Sequence, residues 1–162
     1  MNNIEQDIEK EEEDTQKGKF LIFTIEKEDY GIEIRNVLEI IGMQPITKVP
    51  QVPRYIKGMI NLRGKIIPVM DVRIRFKKEE IEYDGRTCII IVQIEDISVG
   101  LIVDRVSEVL NISDDEFAQV PEMSSNSNNK YISSIGNTQS GVKLILDCNK
   151  IISDDEIGLL EI

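Results

Sequence analysis

The 162-residue chain has no histidine, no tryptophan, a single alanine and only two cysteines. Without histidine, the Ser-His-Asp and Cys-His nucleophile arrangements and every His-liganded metal site are excluded at once. The two thiols, Cys88 and Cys148, are far apart and form no C-x-x-C pair. Neither reads as a metal ligand, and both are expected to be buried and to behave as small hydrophobes. Long apolar runs are also missing. The longest uncharged one, Thr87 to Ile94, is far too short to span a bilayer. The N-terminus is acidic where a secretory signal would be basic and then apolar. The expectation is a soluble, cytoplasmic protein with no cofactor, no metal and no membrane insertion. Hydrolysis on paired carboxylates stays formally open with 30 acidic residues. Those acids fall in surface-like runs rather than singly in apolar settings, so no enzyme is expected.

What the chain does have is β-branched side chains, 29 isoleucines and 12 valines. With so little alanine, that composition points to an all-β protein. Charge is uneven around the net of −11. Residues 1–18 carry seven acids and two lysines, a net of −5, and residues 111–162 carry nine acids and three lysines, a net of −6. Residues 48–78 carry nine basic residues against Asp71 alone, a net of +8. A basic belt in an acidic protein can orient an acidic partner, or it can be the solvated outer face of strands.

Read in order, residues 1–18 offer only Ile4 and Ile8 to bury and are expected to form a mobile acidic tail. Lys19–Glu26 is a strand with large apolar residues on both faces, which requires cover on each side. Tyr30–Ile34 returns as a strand, Arg35–Leu38 is a short turn, and Glu39–Met43 is a strand again. Pro45 to Pro53 is a proline-punctuated connection. Arg86–Ile94 and Ile97–Asp104 form a hairpin, and Val106–Ile112 alternates. Ser113 and Glu116 have capping-box spacing, as do Ser153 and Glu156 ahead of a short C-terminal helix. The serine- and asparagine-rich loop between them reads as mobile. Tyr131–Gly136 and Val142–Asp147 make the last hairpin. The total is nine or ten short strands at small-barrel spacing.

The stretch with most to say is Pro53 to Phe76, PRYIKGMINLRGKIIPVMDVRIRF. Pro53 suits a first helical position and Gly58 the end of a short helical turn. Met59–Leu62 and Ile66–Met70 flank Arg63-Gly64-Lys65, a hairpin signature with Gly64 at the turn. Pro68 cannot donate to a ladder, which places the second strand at an edge or bulge. Asp71 is a natural N-cap. A guanidinium on a rigid turn suits recognition more readily than stability, although a solvated surface turn is the plainer reading.

The same stretch, from Ile56 through Asn61-Leu-Arg-Gly-Lys-Ile-Ile-Pro to Asp71, resembles the central signature of the bacterial chemotaxis coupling proteins of the CheW family. Tyr30-Gly-Ile-Glu-Ile, Val37-Leu-Glu-Ile, Val99-Gly-Leu-Ile-Val-Asp-Arg-Val and Leu144-Ile-Leu-Asp support the resemblance in the family's order, from Lys19 to Leu160. The resemblance implies an adaptor of residues 19–162, with two intertwined five-stranded Src-homology-3-like barrels around a shared apolar groove. It implies a non-catalytic role, linking the cytoplasmic tip of methyl-accepting chemoreceptors to the regulatory domain of the histidine kinase CheA. It also implies recruitment to the inner face of the membrane through those receptors. Receptor-contact positions carry over onto Val37, Glu39, Gly58, Asn61, Arg63 and Gly64. For Val37 a core role competes, and for Glu39 a structural ion pair with Arg63 competes. Kinase-contact residues cannot be assigned from the sequence. The two glycines are expected to act by shaping backbone.

Within the family, the alternative is the adaptor module of CheV, which carries an attached receiver domain; with the sequence reaching Ile162 and no phospho-acceptor domain, that reading is disfavoured. From another class comes a small barrel binding nucleic acid through the 48–78 belt. That reading has net charge −11 against it, and only Tyr55 and Phe76 as stacking candidates.

Overall fold

The computed structural model describes residues 16–118 and 130–151. The acidic tail through residue 15, the serine- and asparagine-rich loop through residue 129 and the C-terminal helix expected after Ser153 lie outside the described residues.

Among the described residues the β-branched composition forms eleven strands, β1 Lys19–Ile25, β2 Glu28–Glu33, β3 Val37–Gly42, β4 Ile56–Leu62, β5 Lys65–Asp71, β6 Cys88–Ile94, β7 Ile97–Val103, β8 Arg105–Asn111, β9 Phe117–Ala118, β10 Ile132–Thr138 and β11 Gly141–Leu146. Two one-turn helices, α1 Val72–Arg75 and α2 Cys148–Ile151, follow β5 and β11. The protein is all-β in two sheets. One has the order β8-β1-β2-β11-β10-β9 and the other β3-β6-β7-β5-β4. The sixth strand of the first sheet, β9, has only two residues.

Apolar residues on both faces of β1 and β6 are explained by three cores. Phe20 and Ile22 point into a small core with Ile112 and Ile145. Ile89 and Ile91 point into another with Ile60, Ile67, Val69 and Ile102. The alternate residues, Leu21, Phe23 and Ile25 of β1 and Ile90 and Val92 of β6, meet in a larger core drawn from both sheets. Each such side chain contributes about 1.5–3 kcal/mol on burial, so the shared core holds the two sheets as one body. Rings cross it in a line. Phe23 to Tyr30 is 5.9 Å between centroids, Tyr30 to Phe76 is 5.3 Å, and Phe76 to Tyr131 is 5.4 Å.

The polar anchors lie at the ends of β5 and β7. Asp71 caps α1, its side chain accepting from the Ile74 amide at 3.3 Å, as its place in the sequence predicts. Arg73 donates to both oxygens of Asp104, at 2.7 and 2.6 Å. Arg75 lies 4.2 Å over the Tyr55 ring and 5.0 Å over Tyr131, and its Nε donates to the Ile151 carbonyl at 2.6 Å. The Ser113/Glu116 capping box closes one 3₁₀ turn between β8 and β9.

Three expectations are corrected. Pro53 to Gly58 is not a helical turn. Arg54 and Tyr55 make a plain turn, and Gly58 already lies inside β4, at a bulge opposite β5. Strand β5 is not an edge but sits between β4 and β7. Pro68 is tolerated because the β5–β7 ladder starts one residue later, at Val69↔Gly100. Of the two thiols, Cys148 is buried but Cys88 is only half-buried, at the start of β6. Burial pushes the Cys148 thiol up to about 12, with the Asp147 charge adding to the effect. Alkylation with iodoacetamide at pH 8 is therefore expected to modify Cys88 first and Cys148 only on unfolding. Equal rates in the native protein would contradict this placement.

Candidate functional site

The β4–β5 hairpin closes on two residues, with Leu62 opposite Lys65. Arg63 at φ 52° and Gly64 at φ 87° both adopt the left-handed conformation that a two-residue loop of this twist requires. Glycine meets that requirement without strain, and Gly64 has nothing within 4 Å of where a Cβ would stand. Asn61 fixes the turn from below, its Oδ1 accepting from the Gly64 amide at 2.8 Å. The sequence thus builds a rigid tip and places a guanidinium on it.

That guanidinium reaches across to β3. Arg63 Nη1 donates to Glu39 Oε1 at 2.9 Å, and Nη2 donates to Oε2, a two-pronged pair. The Arg63 side chain remains 70% exposed and that of Glu39 30%. The hydrogen bond from Arg63 holds the Glu39 carboxyl below the usual carboxylate range. Solvent-exposed pairs of this kind add little stability, so the value of this one is orientation. β3 and β4 are the two ends of the five-stranded sheet, and the pair ties them together.

Gly58 lies further down β4, at φ 144°, beside the connection from β3. Thr47 exchanges both backbone hydrogen bonds with Met59, each 2.8 Å. Its carbonyl oxygen lies 2.1 Å from where a Gly58 Cβ would be, so only glycine fits. Val37 opens β3 half-buried and packs against the shared core, next to a bulge between Val37 and Glu39.

Of the six predicted residues, the fold gathers Glu39, Asn61, Arg63 and Gly64 at one tip. Gly58 supports the strand that carries the tip, and Val37 anchors β3. The competing readings hold as structural facts, since Val37 does pack on the core and Glu39 does pair with Arg63. Sequence reasoning missed the exposed aliphatics of β3 and of the start of β5. Leu38 is 54% exposed, Ile40 43% and Ile66 62%. A signal was present in Val37-Leu38-Glu39-Ile40-Ile41, where apolar residues occupy both faces of a strand that ends a sheet.

The basic belt is largely neutralised by this chain's own acids. Arg54 and Lys57 both reach Glu80, Arg73 holds Asp104, and Lys78 lies 3.1 Å from Glu26 and 3.7 Å from Glu28. A phosphate backbone needs cations free to neutralise it, so this arrangement disfavours nucleic acid. Elsewhere an open concavity of about 700 Å³ is lined by Glu33, Asp114 and Asp147 among others. Glu33 there is held by Arg35 at 2.8 Å, and Asp147 accepts from the Asn149 amide at 3.0 Å. Two of its three carboxylates are therefore engaged structurally.

Comparison with known proteins decides the family. Residues 19–156 match the family described as the CheW-like domain. The chain belongs to the CheW-like family. It is 34% identical over 143 residues to the chemotaxis protein CheW of Klebsiella aerogenes, covering 88% of this chain and 86% of that one. To CheW of Bacillus subtilis it is 34% identical over 137 residues, covering 85% and 88%. The crystal structure of the scaffolding protein CheW from Thermoanaerobacter tengcongensis superposes with a TM-score of 0.79 at 33% identity, covering 86% of this chain and 94% of that one. The Src-homology-3-like all-β fold of the CheW family is therefore the fold of this chain. Its place in the family makes it a chemotaxis scaffold rather than a catalyst. Among the described residues, no helix is long and apolar enough to cross a membrane.

Proposed function

We propose that this protein is the adaptor through which transmembrane chemoreceptors control the histidine kinase CheA. The receptor's cytoplasmic helical tip docks on the face built by Val37, Glu39, Gly58, Asn61, Arg63 and Gly64. The kinase's regulatory domain binds elsewhere on the protein, and the complex gathers at the inner face of the membrane. The observation that carries this reading is the Arg63–Glu39 pair, a mostly exposed guanidinium held in one orientation on a strained but well-supported turn. Such a group contributes little to stability and much to recognition. Val37 and Gly58 act through the positions of β3 and β4, the other four through the tip itself.

The test is co-sedimentation of CheA with receptor-bearing membranes, with wild-type protein or Arg63→Glu. The substitution sets two carboxylates against each other at the tip. It is expected to reduce recruited kinase at least tenfold, while the melting temperature moves by no more than about 2 °C, as for an exposed pair. A large fall in melting temperature would make Arg63 a structural residue. Failure of the wild-type protein to recruit kinase would defeat the adaptor reading itself.

A further inference from the structure

The charged connection from α1 to β6 is fixed at its ends and loose in its middle. Lys77 leaves α1 at φ 59°, and the Lys78 amide donates to the Arg73 carbonyl at 2.9 Å. At the far end the Asp84 amide donates to Thr87 Oγ1 at 2.9 Å, closing a turn. Between these anchors every residue is exposed, and among the described residues no backbone amide from Glu79 to Tyr83 donates a hydrogen bond. Side chains make the polar contacts of this strap. Glu80 accepts from Arg54 Nη2 on Oε2 at 3.3 Å and from the Lys57 ammonium on Oε1. Arg73 Nη1 donates to the Glu79 carbonyl at 3.2 Å, and the Tyr83 hydroxyl donates to Asp71 Oδ2 at 2.7 Å.

The cations that Glu80 meets lie at the opposite end of β4 from the Arg63 turn. Residues 48–57 hold Lys48, Arg54 and Lys57 and no acid. Among the described residues, Glu80 is the only carboxylate paired with any of the three. We propose that Glu79–Tyr83 is an autoinhibitory strap: Glu80 fills a seat of Arg54 and Lys57 that takes a carboxylate of an acidic peptide, and the strap lifts as a unit while both sheets stay folded. The inference goes beyond the adaptor reading and does not depend on it. The strap itself shows what the seat accepts, an acidic run, Glu79-Glu80-Ile81-Glu82-Tyr83-Asp84, carrying two exposed apolar side chains. Each cation meets a different oxygen of the one carboxylate, which is the geometry of a side-chain acid. Lifting is cheap. The Arg54 side chain is 78% exposed and that of Glu80 41%, and exposed pairs of this kind add little stability. Burial and the nearby Asp71 carboxylate push the Tyr83 phenol up, so it keeps the proton it donates. When Tyr83 leaves, Asp71 retains the Ile74 amide at 3.3 Å. A covered seat binds its ligand more weakly in proportion to the fraction of molecules with the strap lifted.

The experiment follows the fluorescence anisotropy of a fluorescein-labelled oligoglutamate peptide titrated with the full-length protein at low salt. Glu80→Gln and Tyr83→Phe are each expected to bind the peptide at least about fivefold more tightly than wild type. Adding Lys57→Gln to either should abolish the gain. Tyr83 touches neither cation of the seat, so its effect reports lifting alone. No gain in a folded Glu80→Gln protein would overturn the seat, and no gain in a folded Tyr83→Phe protein would overturn the strap as a unit. An equal gain for a single-stranded oligothymidylate of matched charge would overturn the acidic peptide as occupant in favour of nucleic acid. Wild-type protein provides a check that needs no variant. Cleavage after Glu79, Glu80 or Glu82 by a glutamyl endopeptidase, followed by mass spectrometry, is expected to stay nearly constant up to about 1 M urea, because lifting exposes little surface. Cleavage that rises with urea as steeply as global unfolding would mean that the strap leaves only when the sheets unfold, and would overturn the proposal.

Discussion

Replacing Gly58 by alanine is expected to destabilise the protein by about 3 kcal/mol or more, enough to leave much of it unfolded at growth temperature. A methyl group there would stand 2.1 Å from the Thr47 carbonyl oxygen, 2.8 Å from its carbon and 2.9 Å from Ile46 Cγ2. Backbone oxygen cannot rotate aside as a side chain can. Thr47 cannot retreat either without losing both 2.8 Å hydrogen bonds to Met59. The φ of 144° adds a conformational cost for any residue bearing a Cβ. Denaturant unfolding followed by circular dichroism measures the loss. Receptor binding should fall in parallel, because β4 carries the Arg63 turn. A Gly58→Ala protein with wild-type stability and no receptor binding would instead put Gly58 in direct contact with the partner.

The second large effect is expected from Asp29→Asn. The Lys143 side chain is 3% exposed, and its ammonium lies 2.7 Å from Asp29 Oδ2, with the Ser140 carbonyl at 3.4 Å. Thr24 donates to the other oxygen of Asp29 at 3.1 Å. Neutralising the carboxylate leaves a buried cation without a counter-charge, which costs about 3–5 kcal/mol. Lys143→Met should cost less, since Asp29 keeps a third of its side chain in water. Equal losses in the two variants would mean that the unpaired ammonium is not the source of the cost.

The same contacts set an acid limit. The hydrogen bond from Lys143 holds the Asp29 carboxyl below its ordinary value of 3.8. Asp104 is lowered too, its burial outweighed by hydrogen bonds from Arg73 and the Glu26 amide together with the charges of Arg73 and Lys78. Both groups therefore release their protons more readily in the folded chain than in the unfolded one. Their stabilisation is complete above about pH 5 and drains away as pH falls from the ordinary carboxylate value through the depressed folded ones. Unfolding midpoints measured from pH 6 to pH 2 should fall less steeply in Asp29→Asn than in wild type.

How much of this was legible depends on how local each cause is. The Arg63-Gly64 turn, the Asp71 cap and the Ser113/Glu116 box lie within four residues of their partners, and the sequence showed all three. Strand positions followed from period-two patterning, and apolar residues on both faces of β1 announced the two-sided cover that the cores supply. Gly58 was misread because its reason is Thr47, eleven residues away, and no nearby pattern records it. Pro68 was misread because the ladder it avoids starts one residue on, a matter of register rather than residue type. Arg75 between Tyr55 and Tyr131, and Lys143 against Asp29, depend on pairings across the whole chain. The basic belt looked like a single surface until Glu80, Asp104, Glu26 and Glu28 came to meet it.

The order of strands in the two sheets has a consequence for synthesis. β3 to β7 follow one another in the chain, so the five-stranded sheet can close as soon as Val103 leaves the ribosome. β1 and β2 are made earlier still, yet their sheet-mates β8 and β11 are made after β7. During that interval the nascent hairpin of β1 and β2 holds Phe20, Ile22 and Phe23 without their final cover, and unpaired apolar strands of this kind readily join those of a neighbouring chain. The residues made just before it, 1–18, carry a net charge of −5. Like charge on every nascent copy opposes such pairing, which gives the acidic segment ahead of β1 a role before the protein is finished.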